Sequence, residues 1–473
     1  MMKKRLAIIG NGMAAGRLLD ELVRRNGATQ FEVSVFGEEL RGSYNRILLG
    51  RVLSGGDPEE ITLKPPAWYA ARGVAFHSGV RVTRVEPVPR RLTTSDGDSH
   101  PYDVCVFATG SSPLVPPIKG LRQDDGTPRE GVHVFRSIDD CIAIRERCRP
   151  GSSAVVVGGG LLGLEAAKAL CDLGLHVTVV HLSPVLMNAQ LDQHGGELLR
   201  RSIEKMGIYC RTGTTVSEIL GNGHVEAVKL LSGDVVPADL VVIACGIVPR
   251  VDVAKTSEVP VNRAILVNDL LATAVPGVYA VGECAEHEGK VYGLVQPIWE
   301  QCTVLADVIT GTNPRARYRG SKVYARLKVA GVEVASFGLI DAERVTDEVV
   351  QVFEDRRGVY RKLIVRDGKL VGAMLVGCAA AAPGLVQIFD RDELLPPNRL
   401  DVLGTGHGPG MSADHEICNC NHVTESHIAE AIRGGCDTLP SLCEATRAGT
   451  GCGSCKGQLT GLLARHSTLA LVG

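Results

Sequence analysis

Residues 6–25 read LAIIGNGMAAGRLLDELVRR, and residues 154–170 read AVVVGGGLLGLEAAKAL. In each, a short apolar run opens into a glycine turn, and the turn opens into a segment whose apolar positions recur at helical spacing. The first turn is Gly10-x-Gly12-x-x-Ala15 and the second is Gly158-x-Gly160-x-x-Gly163. Such a turn aims backbone N–H groups and the positive end of a helix at a pyrophosphate, while a small third residue lets helix and strand pack closely. Ala15 keeps that third position small, with Gly16 beside it. The internal echo predicts two dinucleotide-binding units rather than one.

The pattern extends outward from both turns. Strand-like apolar runs at 5–10, 31–36, 104–109, 154–158, 176–180, 240–244 and 278–281 alternate with helix-like segments, which predicts parallel sheets with crossover helices. After Tyr318 the pattern becomes β-rich, and residues 322–338 and 360–377 read as strand pairs around turns such as Arg366-Asp367-Gly368. A Pro-, Gly- and Asp-rich stretch from 395 to 414 reads as a linker, and a cysteine-dense tail follows.

Composition agrees. A chain of 473 residues exceeds what one hydrophobic core organises, so two or three domains are expected. Apolar residues make up 45% and charged residues 22%, with a formal charge of -2, which excludes a disordered chain and a basic surface for nucleic acid. The 55 glycines and 4% aromatic content suit a nucleotide-binding α/β protein. The opening MMKKRLAIIGNG is basic and then apolar like an export signal, but Gly10 and Gly12 break the run. The later apolar stretch 371–386 falls short of the roughly 20 residues that span a bilayer. A cytoplasmic protein is expected, and with it reduced thiols rather than disulfides.

Around the first turn, FEVSVFGEE at 31–39 ends in Glu38 and Glu39, either of which suits the adenosine ribose hydroxyls, with Glu38 preferred. Ala108-Thr109-Gly110 follows one strand, and Gly282-Glu283 follows another. These pieces together resemble the flavoprotein reductases with two dinucleotide-binding domains. The resemblance implies FAD at the first turn, with the Gly282-Glu283 pair on the flavin's ribityl and pyrophosphate region, Glu standing where Asp is usual. It implies NAD(P)H at the second turn, with Gly246 in the same site. Glu165 stands where relatives carry a glutamate facing nicotinamide and flavin, although a helix-start acid favoured by the helix dipole is an equal reading. The second strand ends in His181, with no acid for a 2′-hydroxyl and no nearby arginine for a 2′-phosphate, so either nicotinamide donor is open. SYNRILLGRVLSG at 43–55 is similar to the flavin-contacting stretch of ferredoxin-reductase-like members, which implies Tyr44, Asn45 and Arg46 near the flavin ring and Arg51 as a cation stabilising its reduced form. No cysteine pair spaced by two or four residues lies near either turn, so a flavin-coupled disulfide is not expected.

Nine of the fifteen cysteines are scattered over the first 417 residues and six fall in the last 56. Cys418-x-Cys420 and Cys452-x-x-Cys455, separated by 31 residues, suit a four-thiolate site, either a structural zinc or an iron–sulfur cluster. Between the pairs lie two predicted helices, the first capped by Thr424, and Cys436 and Cys443 read as packing thiols. The CNC start and ATRAGTGCGSC end resemble the bacterioferritin-associated-ferredoxin-like domain, which implies a [2Fe-2S] cluster on Cys418, Cys420, Cys452 and Cys455.

The order of parts resembles the N-terminal region of NAD(P)H nitrite reductase large subunits and the electron-transfer subunits of bacterial assimilatory nitrate reductases. The expected fold is α/β: two Rossmann-like domains for FAD (1–115 with 266–315) and NAD(P) (116–265), a small α+β interface domain (318–395), a linker (396–413) and a small helical [2Fe-2S] domain (414–473). The chain stops 18 residues after Cys455, so no sirohaem domain is expected. The resemblance implies electron delivery to a terminal reductase, with a molybdenum nitrate reductase as the expected partner. The flavoprotein subunit of an opine, hydroxyproline or amino-acid dehydrogenase, and a flavin and cluster redox sensor, are the alternatives.

Overall fold

The computed structural model describes residues 3–469 except 124, 330, 406–413, 415, 452 and 454, with backbone alone at 326–329, 405 and 466–469. The chain divides into two compact units, one made of Met1–Leu48, Asp57–Ser112 and Ile247–Ser321, the other of Leu49–Gly56, Pro113–Gly246 and Lys322–Gly473.

The first unit is built on a five-stranded parallel sheet in the order Val278–Ala280, Val104–Phe107, Lys4–Ile9, Phe31–Gly37, Ala75–Ser78. Its first strand shows why the run is apolar throughout. Leu6 and Ile8 enter one core with Leu18, Leu19 and Leu22, whereas Ala7 and Ile9 enter the opposite one with Phe36, Val85 and Leu92. Both faces are covered, so strict apolar–polar alternation is absent. Helix Met13–Arg24 packs against helix Val295–Thr310, which ends at Gly311 in the left-handed region (φ +72°). Residues 247–265, expected in the nucleotide domain, belong to this unit instead. Their helix Asp252–Thr256 lies on strand Val82–Glu86, and the Ser257 hydroxyl accepts the Val85 N–H at 2.8 Å.

The second unit carries the other parallel sheet, in the order Val132–Val134, Leu240–Ile243, Ser153–Val157, His176–His181, Tyr209–Thr212. Residues 49–56, expected in the flavin domain, fold here. Helix Leu49–Leu53 packs on helices Ile138–Arg147 and Leu161–Asp172 through buried Leu49, Val52 and Leu53.

Further along, five antiparallel strands in the order Tyr324–Val329, Val332–Gly338, Lys369–Val376, Val359–Arg366, Glu348–Glu354 cover helix Ala382–Arg391. The expected turn is found, with Asp367 (φ +52°) and Gly368 (φ +74°) both left-handed, as a tight hairpin requires. This sheet is tied to helix Gln193–Glu204 of the same unit by a buried charge cluster. Asp192 caps that helix through Gly195 N–H (2.9 Å) and accepts from Lys362 (2.8 Å) and the Tyr360 hydroxyl (2.7 Å). Burial alone would raise the Asp192 carboxyl, but these three donors hold it below its ordinary value.

The stretch read as a linker is not one throughout. Arg399–Thr405 is helical, and Val402 and Leu403 are buried in the core of the antiparallel sheet. The tail then forms a two-strand pair, Glu416–Cys418 with Val423–Thr424, and helices Glu425–Arg433, Leu439–Thr446 and Lys456–Leu469. Among the described residues no helix is long and apolar enough to cross a membrane.

Candidate functional site

In the first unit, Gly10 N–H donates to Phe36 O (2.8 Å), and the residue sits at φ +103°. A Cβ there would lie 2.3 Å from the Ala108 carbonyl oxygen, so glycine is obligatory. At Gly12, which begins helix Met13–Arg24, a Cβ would meet nothing within 4 Å. The space above Gly12 is therefore open, beside the helix's first-turn N–H groups, which helix geometry leaves without intrahelical partners. Ala15, fully buried, takes the packing position. Next to the turn, Asn11 Oδ1 accepts the Tyr69 hydroxyl (2.7 Å), while its buried Nδ2 has no partner among the described residues. An unmet buried donor beside an open glycine cradle fits an anionic dinucleotide.

The other residues expected around the flavin lie in this unit, except Arg51. Glu39 receives the Tyr44 hydroxyl (2.6 Å) and pairs with Arg46, whose guanidinium lies 4.7 Å from the Tyr44 ring. Burial would raise the Glu39 carboxyl, yet Arg46 and Tyr44 hold it below its ordinary value. Glu38 is exposed and bonded by Arg250 at 2.9 Å. Arg250 also donates to Ser112 Oγ (2.7 Å), and its carbonyl accepts from Thr109 Oγ1 (2.7 Å). Arg250 thus connects the Glu38 strand end to the segment after Ala108, a role with no motif to announce it. Gly110 is left-handed (φ +65°). Gly282 donates its N–H to Gln301 (2.8 Å), and the neighbouring Glu283 accepts the Ser111 hydroxyl at 2.5 Å. Asn45 is buried and accepts Ile47 N–H at 3.1 Å. Arg51, exposed on helix Leu49–Leu53, belongs to the second unit.

The second glycine turn repeats the design. Gly158 stands at φ +120°, with a notional Cβ 2.2 Å from the Ala244 oxygen, and Gly160 opens onto empty space. Gly163 differs from Ala15, because a Cβ would lie 2.0 Å from the Gly158 oxygen, which excludes any side chain. Gly246 is left-handed (φ +115°), and its carbonyl accepts Leu114 N–H at 2.9 Å. His181 Nδ1 accepts Gly159 N–H at 3.1 Å and therefore carries the lone pair. Its Nε2 then donates to Asn188 Oδ1 (3.2 Å), and burial holds the imidazole below its ordinary pKa. The strand end thus presents a neutral ring. Glu165 is half-buried one turn into helix Leu161–Asp172, with Gly50 packed near its Cβ. Burial pushes its carboxyl up to about 7, in the range of a proton-exchanging group.

In the tail, Cys418, Cys420 and Cys455 are buried, and the Cys418 and Cys420 sulfurs lie 3.7 Å apart. Cys452 lies outside the described residues. Hydrogen bonds from Cys420 and Cys455, then from the Gly449 and Asn421 backbone, outweigh burial and hold the Cys418 thiol well below its ordinary value. Convergent thiols with a thiolate already favoured are the donor set of a metal centre. Thr424 caps helix Glu425–Arg433, as expected, and Cys436 and Cys443 pack into the module's apolar core. All the described cysteines are free thiols.

Two parallel sheets that each open into a glycine cradle, followed by a converging cysteine set, define a redox protein of the two-dinucleotide class. The pyridine nucleotide-disulphide oxidoreductase family model matches residues 4–304, and the chain belongs to that family. A rubredoxin NAD+ reductase C-terminal domain matches 324–389, and a BFD-like [2Fe-2S] binding domain matches 416–465. The chain is 38% identical to the NAD(P)H nitrite reductase of Bacillus subtilis (strain 168), covering 96% of this chain and 57% of that protein. It is 36% identical to the assimilatory nitrate reductase electron transfer subunit of the same strain, covering 98% and 60% respectively. It thus spans little more than half the length of either. The fold is that of the reductase in a covalent putidaredoxin reductase–putidaredoxin complex (TM-score 0.76, 21% identity, 85% of this chain and 96% of that one). The family implies FAD and NAD(P)H, and the tail domain implies [2Fe-2S] rather than zinc. The two cradles and the thiol set fit all three. Bound there, these groups supply hydride acceptance and its division into single electrons.

Proposed function

We propose that this protein is an NAD(P)H-dependent electron-transfer reductase that delivers electrons to a cytoplasmic terminal reductase, a molybdenum nitrate reductase or a nitrite reductase. The observation that carries the reading is the presence, in one chain, of two open glycine cradles and a separate buried thiol set. Gly10, Gly12, Ala15, Glu38, Asn45, Arg46, Ala108, Thr109, Gly110, Gly282 and Glu283 are assigned to FAD. Gly158, Gly160, Gly163, His181 and Gly246 are assigned to the nicotinamide nucleotide. Glu165 is assigned to the nicotinamide end of its nucleotide, and Arg51 to balancing negative charge during reduction. Cys418, Cys420, Cys452 and Cys455 are assigned to the cluster through which electrons leave. The names of the two Bacillus subtilis relatives support this acceptor class.

The test is Cys455→Ser in the full chain. Flavin bleaching by NADH or NADPH should persist at its normal rate, while transfer to purified nitrate reductase falls at least tenfold. Undiminished transfer sinks the exit route, and bleaching by an amino acid instead of NAD(P)H sinks the donor assignment.

A further inference from the structure

Asn421 sits in the turn Asn419–Asn421, between Cys420 and the left-handed His422 (φ +50°). Its Nδ2 lies 2.9 Å from the Arg447 carbonyl oxygen. A carbonyl can only accept, so the nitrogen end of the amide faces this side of the site. Thr450 Oγ1 donates to the same carbonyl at 2.7 Å and accepts from Nδ2 at 3.3 Å, on the Arg447 side of the amide. One amide hydrogen is therefore committed to Arg447. The sulfurs of Cys418 and Cys420 each lie 3.8 Å from the same nitrogen and share the reach of its other hydrogen as a three-centre contact. Arg447 itself is left-handed (φ +66°) at the end of helix Leu439–Thr446, just ahead of the second cysteine pair in sequence. One side chain thus ties the turn carrying the first pair to the turn leading to the second, and points a donor at two ligand sulfurs.

We propose that Asn421 is a positioning residue that raises the reduction potential of the cluster by donating to the Cys418 and Cys420 sulfurs. This rests on the [2Fe-2S] reading of the tail. With the groups bound, NAD(P)H would be oxidised to NAD(P)+ by giving a hydride to the flavin, which would pass the two electrons on singly, and each would reduce the cluster by one electron with no proton taken up there and no bond broken at the cluster. The added negative charge spreads onto the thiolates. A donor to sulfur stabilises the reduced form more than the oxidised one, so its presence moves the potential upward. Easier reduction favours passage of electrons out of the flavin. A mere loop brace on Arg447 would leave the potential where it is.

The test uses the full chain, purified without oxygen, as wild type, Asn421→Ala and Asn421→Asp. The cluster's EPR signal is titrated against electrode potential, iron and sulfide are counted, and flavin bleaching by NADH is the control. Asn421→Ala should keep two irons per chain and normal bleaching, while its reduction equilibrium falls about tenfold, a downward shift of about 59 mV for one electron. Asn421→Asp, similar in shape but negative, should shift further the same way. A potential unmoved or raised in the variants overturns the proposal. Loss of iron from both variants also overturns it, because Asn421 would then be a structural requirement. A wild type that holds zinc and gives no cluster signal fails the [2Fe-2S] reading itself, an outcome distinct from the others.

Discussion

Gly160 and Gly163 stand three residues apart on one turn, and alanine at each should fail in a different way. At Gly163 the new Cβ would lie 2.0 Å from the Gly158 oxygen and 3.4 Å from the Ala244 Cβ. Relief of the first contact needs the helix start to retreat by about 1 Å, at an overpacking cost of roughly 1–3 kcal/mol. At Gly160 the Cβ would meet nothing within 4 Å, and the backbone there is ordinary extended structure (φ −82°). The protein alone then loses less than about 1 kcal/mol, the cost of replacing a glycine cap by alanine. If the empty space is the seat of a pyrophosphate, the same Cβ should weaken ADP-ribose binding at least tenfold, about 1.4 kcal/mol. Differential scanning calorimetry reads stability, and titration calorimetry with ADP-ribose reads affinity. The expectation is a stable Gly160→Ala that binds poorly and a destabilised Gly163→Ala. A Gly160→Ala protein with wild-type affinity would refute the phosphate cradle and leave the turn as mere packing.

Other substitutions test the charges. Because burial keeps His181 neutral, with its Nδ1 lone pair accepting the Gly159 N–H, the strand end should discriminate little between NADH and NADPH, and His181→Asp should cut NADPH binding at least tenfold while sparing NADH; equal losses for both would refute this. Asp192→Ala removes a cap and a charged hydrogen bond to Lys362, which keeps Asp341 (2.7 Å) and the Ile340 carbonyl (2.8 Å), so thermal unfolding should show a loss of about 2–4 kcal/mol. The Asp192 carboxyl is depressed in the fold, so this stabilisation is present above the ordinary carboxylate range and fades as pH falls through the folded value; a pH-independent difference would contradict it. Glu165 is the opposite case, raised by burial to about 7, so wild-type stability should decline as pH rises from about 4.5 to 7 relative to Glu165→Gln, by an amount on the order of 2–3 kcal/mol. Parallel pH profiles for the two proteins would remove that assignment.

The sheets were legible because strands buried on both faces are apolar throughout, and because close approach at Gly10, Gly158 and Gly163 admits no other residue. The hairpin at Asp367-Gly368 was legible for the same local reason. Assignment of 49–56 and 247–265 to a unit was not, since an apolar helix can bury its face against whichever neighbour the whole chain brings to it. Helix Arg399–Thr405 was hidden by flanking prolines and glycines, although Val402 and Leu403 hold it in a core. Strand Glu348–Glu354 lies at a sheet edge, and its sequence EVVQVFE sets apolar residues side by side rather than at every second position, so no period of two announced it. At the sites, glycines and cysteines announced themselves, whereas Arg250, Asn188 and Asn421 act through partners distant in sequence or through one amide's orientation, which no spacing encodes.

The central claim is that electrons enter from a nicotinamide nucleotide and reach a cluster in the cysteine tail. Anaerobic titration of the full chain with NADH and NADPH, followed by visible absorption and EPR, tests it most directly. The prediction is flavin bleaching followed by a reduced [2Fe-2S] signal approaching one spin per chain. Bleaching with no cluster signal, in protein carrying two irons, would contradict it.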